Sequence, residues 1–183
     1  MDPIDVIQNF YDKGSKSYRV LVEHSRQVAD LAVNIAVRLQ LSESSRTFIY
    51  EAAMLHDVGI IGTDAPKLGC FGDDPYIRHG VIGRAMLEGM GLDAHALVCE
   101  RHVGLGITAS EIALRKLPLP WREMAPLSLA EEIVCYADKF FSKNGNAGGV
   151  KKSPEAIEES FRRYGVESLG RFALWRQRFG EPG

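Results

Sequence analysis

Hydrophobic residues recur along this chain with the period of helices rather than of strands. In the longest periodic segment, residues 17–40, they return at steps of three and four: Val20, Leu21, Val28, Leu31 and Ile35. This spacing places them on one face of a helix, which is then buried against the rest of the protein. No segment shows the strict alternation of apolar and polar residues that is typical of strands. We therefore predict an all-α fold with eight or nine helices in one bundle.

Capping residues divide the chain into these helices. An aspartate, serine or threonine precedes most periodic segments, where its side chain can accept a free N–H of the first turn. Thr108 with Glu111, and Ser128 with Glu131, have the spacing of capping boxes. The predicted helices are 3–13, 17–40, 43–57, 129–143, 154–164 and 167–179, with others beginning after Asp74, Asp93 and Thr108. The glycine-containing segments 59–74 and 144–149 are predicted as loops.

Composition indicates one domain and excludes several classes of partner. The 183 residues, 45% of them hydrophobic, can bury one sizeable core, so we expect a single domain over residues 1–183. A formal net charge of -2 gives no electrostatic basis for binding nucleic acid or a membrane surface. The acidic N-terminus does not resemble a signal peptide, and no apolar run is long enough to span a bilayer. Three widely spaced cysteines fit a reducing compartment, so we expect a cytoplasmic protein.

Histidines on the apolar faces of the predicted helices are the candidate chemistry. His24, His56, His79 and His102 each lie on a separate helix, and Asp138 lies on the apolar face of a fifth. One inward histidine is more often a hydrogen-bonded core residue than a metal ligand. Four of them, together with two aspartates that would be costly to bury alone, favour a metal site.

The adjacent pair His56 and Asp57 sets the expected geometry of this site. Neighbouring side chains point about 100° apart on a helix, so both reach one centre only if the helix ends there, which Gly59 allows. Imidazole and carboxylate together suit Mn, Fe, Zn or Ni, with Mg kept as an alternative. Six candidate ligands exceed the needs of one tetrahedral ion, so we expect two ions, with Asp57 as the bridge. Two such ions can hold a shared hydroxide for in-line hydrolysis of a phosphoester.

These residues resemble the signature of a known superfamily. His24, the pair His56-Asp57 and Asp138 are similar to the His…His-Asp…Asp motif of the HD-domain metal-dependent phosphohydrolases, in particular a small, single-domain branch. His79 and His102 fall where the two-metal members carry their additional histidines. The likeness covers residues 17–143 and leaves residues 153–180 as a C-terminal helical cap.

The resemblance implies an HD-type helical bundle and a division of the ligands between two ions. His24, His56, Asp57 and Asp138 would hold the first ion, and Asp57, His79 and His102 the second. Substrate signatures of the superfamily are missing: Ile60 stands where cyclic-dinucleotide phosphodiesterases carry lysine, and no Gly-Tyr-Pro follows His102.

The resulting hypothesis is a metal-dependent phosphohydrolase that cleaves a nucleotide-like phosphoester through a metal-held hydroxide. Arg101, beside His102, and Lys67, in the 59–74 loop, are expected to offset phosphate charge. A surface ion pair for Arg101 and a solvated position for Lys67 are the alternatives. A metal- and nucleotide-binding regulatory module without turnover, or a helical protein with core histidines and no metal, are the alternatives for the whole chain. A homodimer is compatible with each of these hypotheses.

Overall fold

The structure, a computed structural model, describes residues 1–143, 151–162 and 166–181, so the predicted 144–149 loop lies outside it. Nine α-helices occupy these ranges, and the prediction of an all-α fold is confirmed. They are α1 (Pro3–Gln8), α2 (Lys16–Arg38), α3 (Glu43–Leu55), α4 (His79–Glu88), α5 (Asp93–Arg101), α6 (Ala109–Arg115), α7 (Leu129–Asp138), α8 (Pro154–Phe161) and α9 (Val166–Phe179). None of the described helices is both long and apolar enough to cross a bilayer.

The segment predicted as a loop after α3 is more structured than expected. It holds two short antiparallel strands, β1 (Asp64–Ala65) and β2 (Cys70–Phe71). Two 3-10 helices accompany them, over Val58–Gly62 and Pro66–Leu68, and a third, Tyr76–Arg78, precedes α4, which begins at His79 rather than directly after Asp74 as predicted. Two-residue strands are too short to show alternation, which is why the sequence pattern missed them.

Several helices end earlier than predicted. α1 ends at Gln8, α3 at Leu55 and α7 at Asp138, whereas the apolar pattern extended them to residues 13, 57 and 143. After α7, the N–H groups of residues 139, 140 and 141 each donate to the carbonyl three positions back, which tightens the chain out of the α-helix. The predicted end of the eighth helix, at residue 164, lies outside the described residues.

Capping was predicted correctly at some helices and wrongly at others. Thr108 and Glu111 form the complete capping box. Ser128 accepts the N–H of Glu131, but the Glu131 carboxylate accepts from the N–H of Leu127 instead of completing a box. Asp93 lies in the first turn of α5 rather than at its N-cap.

Helix α7 lies at the centre of the bundle and contacts α2, α3, α5 and α9. Its face toward the C-terminal helices is aromatic: the Tyr136 ring lies 5.0 Å from that of Phe140 and 5.5 Å from that of Phe172. These rings are fully buried, so α9 closes one side of the core. Asp138, at the last position of α7, is thereby fixed against the core.

Gly170 in α9 offers a site for stabilisation. A Cβ added there would meet no atom within 4 Å. Because glycine costs about 0.5–1 kcal/mol relative to alanine inside a helix, we expect Gly170→Ala to raise the free energy of unfolding by about that amount. Urea unfolding followed by circular dichroism would measure the change, and a lower stability would contradict the open surroundings of this glycine.

Candidate metal centre

The six predicted ligand side chains meet in the interior of the bundle. They come from α2, the end of α3, the start of α4, the end of α5 and the end of α7: His24, His56, Asp57, His79, His102 and Asp138. All six are buried, the most exposed being Asp138 at 8%. Their ligand atoms form two groups in which all atoms lie within 4.8 Å of one another, and Asp57 belongs to both groups.

Asp57 lies between the two groups and turns one carboxylate oxygen toward each. Its Oδ2 is 3.2 Å from Nε2 of both His24 and His56. Its Oδ1 is 3.4 Å from Nε2 of His79 and 3.3 Å from Nε2 of His102. A carboxylate placed in this way can bridge two cations, one on each oxygen.

Asp138 completes the group that contains His24 and His56. Its Oδ1 lies 3.0 Å from Nε2 of His24 and 3.5 Å from Nε2 of His56. Since α3 ends at Leu55, both His56 and Asp57 follow the helix rather than continue it, and both face one centre. This is the geometry expected if the helix ends at the site.

Three of the histidines share one hydrogen-bonding arrangement. Nδ1 of His56, His79 and His102 lies 2.6–2.7 Å from the carbonyl oxygen three residues earlier in the chain. A carbonyl only accepts, so each Nδ1 carries a proton, and in the neutral imidazole Nε2 keeps the lone pair. Fixing the tautomer through the second ring nitrogen is common among metal-binding histidines.

The lone pairs of His79 and His102 face each other, with the two Nε2 atoms 3.1 Å apart. Neither atom can donate to the other when both rings carry their proton on Nδ1. In addition, Oδ1 of Asp57, which faces these two atoms, has no hydrogen-bond partner within the described residues. Buried acceptors that converge without donors are costly, and a cation between them removes that cost, so this donor set fits divalent metal ions.

Burial has the largest influence on the pKa values of these histidines. It lowers the pKa of His79 to about 3 and also lowers that of His102, so both imidazoles are neutral, which is the form that binds metal. At His56 burial acts in the same direction, but the carboxylates of Asp57 and Asp138 raise the pKa to about 9. A proton on His56 must therefore leave when a cation binds.

Two lysines that the sequence analysis did not assign to the site neutralise its carboxylates. Nζ of Lys143 lies 2.7 Å from Oδ2 of Asp57, and Nζ of Lys139 lies 2.6 Å from Oδ2 of Asp138. Burial alone would raise the pKa of both carboxyls, but the ammonium groups hold them well below their usual range. The sequence signal that could have identified them is a lysine directly after the apolar-face Asp138, followed by a second lysine four positions later.

The two cations predicted to offset phosphate charge lie elsewhere. The guanidinium of Arg101 binds the carboxylate of Glu131 at 3.0–3.1 Å, the ion pair that was the alternative interpretation. Lys67 is exposed on the short 3-10 helix Pro66–Leu68. Neither residue lines the cavity beside the cluster.

Tyr11 holds the turn that follows Asp57 in place, a role that the sequence did not indicate. Its buried hydroxyl donates to the carbonyl oxygen of Val58 at 2.7 Å and accepts the N–H of Ile61 at 3.0 Å. Burial raises the pKa of this phenol well above its usual range, so it stays protonated and able to donate. The segment after α1 thus fixes the backbone next to Asp57.

A cavity of about 510 Å³ opens beside the cluster. Its lining includes His79, His102 and Asp138 as well as Lys139 and Lys143. Apolar side chains supply another part of the wall: Ile77, Val103, Leu105, Ile107 and Phe161. The cavity can therefore receive a molecule that is anionic at one end and apolar elsewhere.

Comparison with known families gives one match that covers most of the chain. The model of the HD domain family matches residues 21–142, a range that contains all six residues of the cluster. The match ends before α8 and α9.

Relatives of the chain include archaeal proteins of different length. A tRNA (cytidine(56)-2'-O)-methyltransferase of Thermoplasma volcanium is 28% identical over 158 residues, which are 86% of this chain and 40% of that protein. An uncharacterized protein of Methanocaldococcus jannaschii is 33% identical over 121 residues, 64% of each. The chain thus spans less than two thirds of the length of these relatives.

Among solved structures, the HD domain of the phosphodiesterase PgpH from L. monocytogenes is similar. The TM-score is 0.55, the sequence identity is 12%, and the match covers 97% of this chain and 95% of that one. At this identity the likeness concerns the fold, and it agrees with the helical bundle predicted from the sequence.

Proposed function

The chain belongs to the HD domain family, and on that premise we propose that it is a metal-dependent phosphohydrolase with two divalent cations. His24, His56, Asp57 and Asp138 would hold one ion, and Asp57, His79 and His102 the other. The single observation that carries the proposal is the position of Asp57, which turns one oxygen toward each group of histidines. Manganese, iron, zinc or nickel suits this mixture of imidazole and carboxylate, and magnesium is the alternative.

Bound divalent ions supply Lewis acidity and lower the pKa of water, which suits the hydrolysis of phosphoesters. The protein's own residues orient the ligand atoms and neutralise charge. Asp57 and Asp138 provide the anionic oxygens, and the carbonyls behind the histidines keep each Nε2 directed inward. Lys139 and Lys143, which line the cavity, would offset the charge of the substrate phosphate in place of Arg101 and Lys67.

We further propose a small nucleotide-like phosphoester as the substrate. The cavity joins cationic side chains to an apolar wall, which matches a phosphate attached to a base and sugar. Ile60 is fully buried, so the position where cyclic-dinucleotide enzymes of the superfamily carry lysine offers no charge here. The methyltransferase name belongs to relatives that extend well beyond the matched region, and we do not propose methyl transfer for this chain.

A substrate screen with metal analysis tests this proposal. We expect the purified chain to bind about two metal ions, and the manganese-loaded form to hydrolyse one class among nucleoside monophosphates, dinucleoside polyphosphates and cyclic phosphates. Because RNA appears in the names of two relatives, nucleoside 2′,3′-cyclic phosphates belong in the panel. A chelator should abolish turnover.

The alternatives give different results in the same experiment. Tight binding of one compound without hydrolysis would favour a regulatory module and contradict the enzymatic proposal. A preparation that never takes up metal would contradict both and leave a bundle with core histidines.

A further inference from the structure

The C-terminal segment contributes a wall of the cavity that the family match does not cover. Lys152, Ser160 and Ser168 line the same space as His79 and His102. These three residues lie beyond residue 142, where the match to the HD domain model ends. Their contribution to the cavity therefore comes from outside the region that the family model describes.

Lys152 is held beside the metal centre by its own backbone. Its N–H donates to the carbonyl oxygen of Phe140 at 2.8 Å, and Phe140 follows Asp138 by two positions. Ser153 then caps α8, so the residue lies between two fixed points. The position of Lys152 relative to the cluster is thus set by a hydrogen bond and by the start of a helix.

Lys152 differs from the other two lysines of the cavity in its charge balance. Lys139 and Lys143 are paired with Asp138 and Asp57. Across residues 1–143, 151–162 and 166–181, no ion pair engages Lys152. Partial burial lowers its pKa; the carboxylate of Asp138 opposes this shift, and the charges of Lys139 and Lys143 add to it. A lysine that faces a cavity under these conditions gains from the arrival of an anion.

We propose that Lys152 forms a second anion subsite, which binds a phosphate of the substrate other than the one at the metal centre. The inference rests on the proposed function, because it takes the first phosphate to lie at the metal ions. It narrows the substrate to molecules with a second phosphate, such as a nucleoside diphosphate or a dinucleoside polyphosphate. The C-terminal segment then decides which phosphoesters are accepted, while the family core provides the chemistry.

Binding of two non-hydrolysable anions to the manganese-loaded full chain tests the subsite. Methylphosphonate presents one phosphonate group and methylenediphosphonate presents two, and neither is cleaved by phosphoester hydrolysis. We expect Lys152→Gln to weaken the binding of methylenediphosphonate about tenfold or more, because a charge-assisted hydrogen bond is lost. The binding of methylphosphonate should not change. Titration calorimetry after removal of unbound metal would measure both dissociation constants.

Matched variants separate charge from position. Lys152→Arg should retain most of the affinity for methylenediphosphonate because it keeps the cation. Lys151→Gln removes the same charge from the adjacent residue, which is exposed like Lys152 but does not line the cavity, and should leave both constants as in the wild type.

The outcomes distinguish this inference from the function on which it rests. If Lys152→Gln binds methylenediphosphonate as the wild type does, or binds both anions equally more weakly, the proposal of a second subsite is wrong. The proposed metal centre is unaffected by that result. If the metal-loaded wild type binds neither anion, the proposed function fails and the subsite fails with it.

Discussion

If the proposed function holds, replacement of Asp57 with alanine is expected to remove both metal ions of the proposed site and to lower hydrolysis by at least about 10³-fold. The reason is geometric, because Asp57 is shared by the two groups of ligand atoms that the described residues form. Its two oxygens lie 3.2–3.4 Å from the Nε2 atoms of all four histidines. Elemental analysis of the purified variant and turnover of the substrate found by the screen would measure the two effects.

Two further variants make this prediction specific. Asp57→Asn keeps the size of the side chain and removes its charge, so it should retain the fold while losing metal, which circular dichroism and metal analysis can show together. Asp73→Asn removes a carboxylate from an exposed position in the segment after α3 and should change neither metal content nor turnover. Full metal occupancy in Asp57→Asn would contradict the bridging role.

The convergence of the six side chains could be predicted because five of them follow the apolar pattern of a predicted helix and Asp57 adjoins one of the five. Helices of one bundle turn their apolar faces to a common core, so His24 and Asp138, 114 positions apart, come within 3.0 Å. The charged residues around them could not be placed in this way. Lys143 reaches Asp57 because α7 ends at Asp138 and the chain turns, and the apolar pattern continued that helix to residue 143.

Local competition between hydrogen bonds explains other differences between prediction and structure. Glu131 has the spacing of a capping-box partner, but Arg101 and the N–H of Leu127 occupy its carboxylate. Only the tertiary fold brings Arg101, 30 positions away, to that carboxylate. The same contact turns Arg101 away from the role in phosphate binding that its neighbour His102 had indicated. Sequence spacing identified the groups able to interact, whereas the choice of partner depended on long-range packing.

Gly59→Ala is expected to lower the free energy of unfolding by at least about 3 kcal/mol, at the upper end of what overpacking usually costs. A Cβ at this position would overlap the carbonyl oxygen of His79 and the backbone nitrogen of Gly83. Both are backbone atoms of α4, so no rotation of a side chain can relieve the overlap and the helix must move. For a chain of this length the loss corresponds to a decrease in melting temperature of about 6–12 °C.

The close approach at Gly59 also connects stability to the metal centre. Gly59 follows Asp57 by two positions, and α4 begins with His79, so this contact sets how far His79 lies from the carboxylate it faces. Any Gly59→Ala protein that folds should therefore bind the ion at His79 and His102 more weakly than the wild type, measurable by metal titration. Gly170→Ala, the same substitution in open surroundings, is the matched control and should shift stability in the opposite direction. Equal urea midpoints for Gly59→Ala and the wild type would mean that α4 does not lie against this turn, and the placement of His79 beside Asp57 would lose its support.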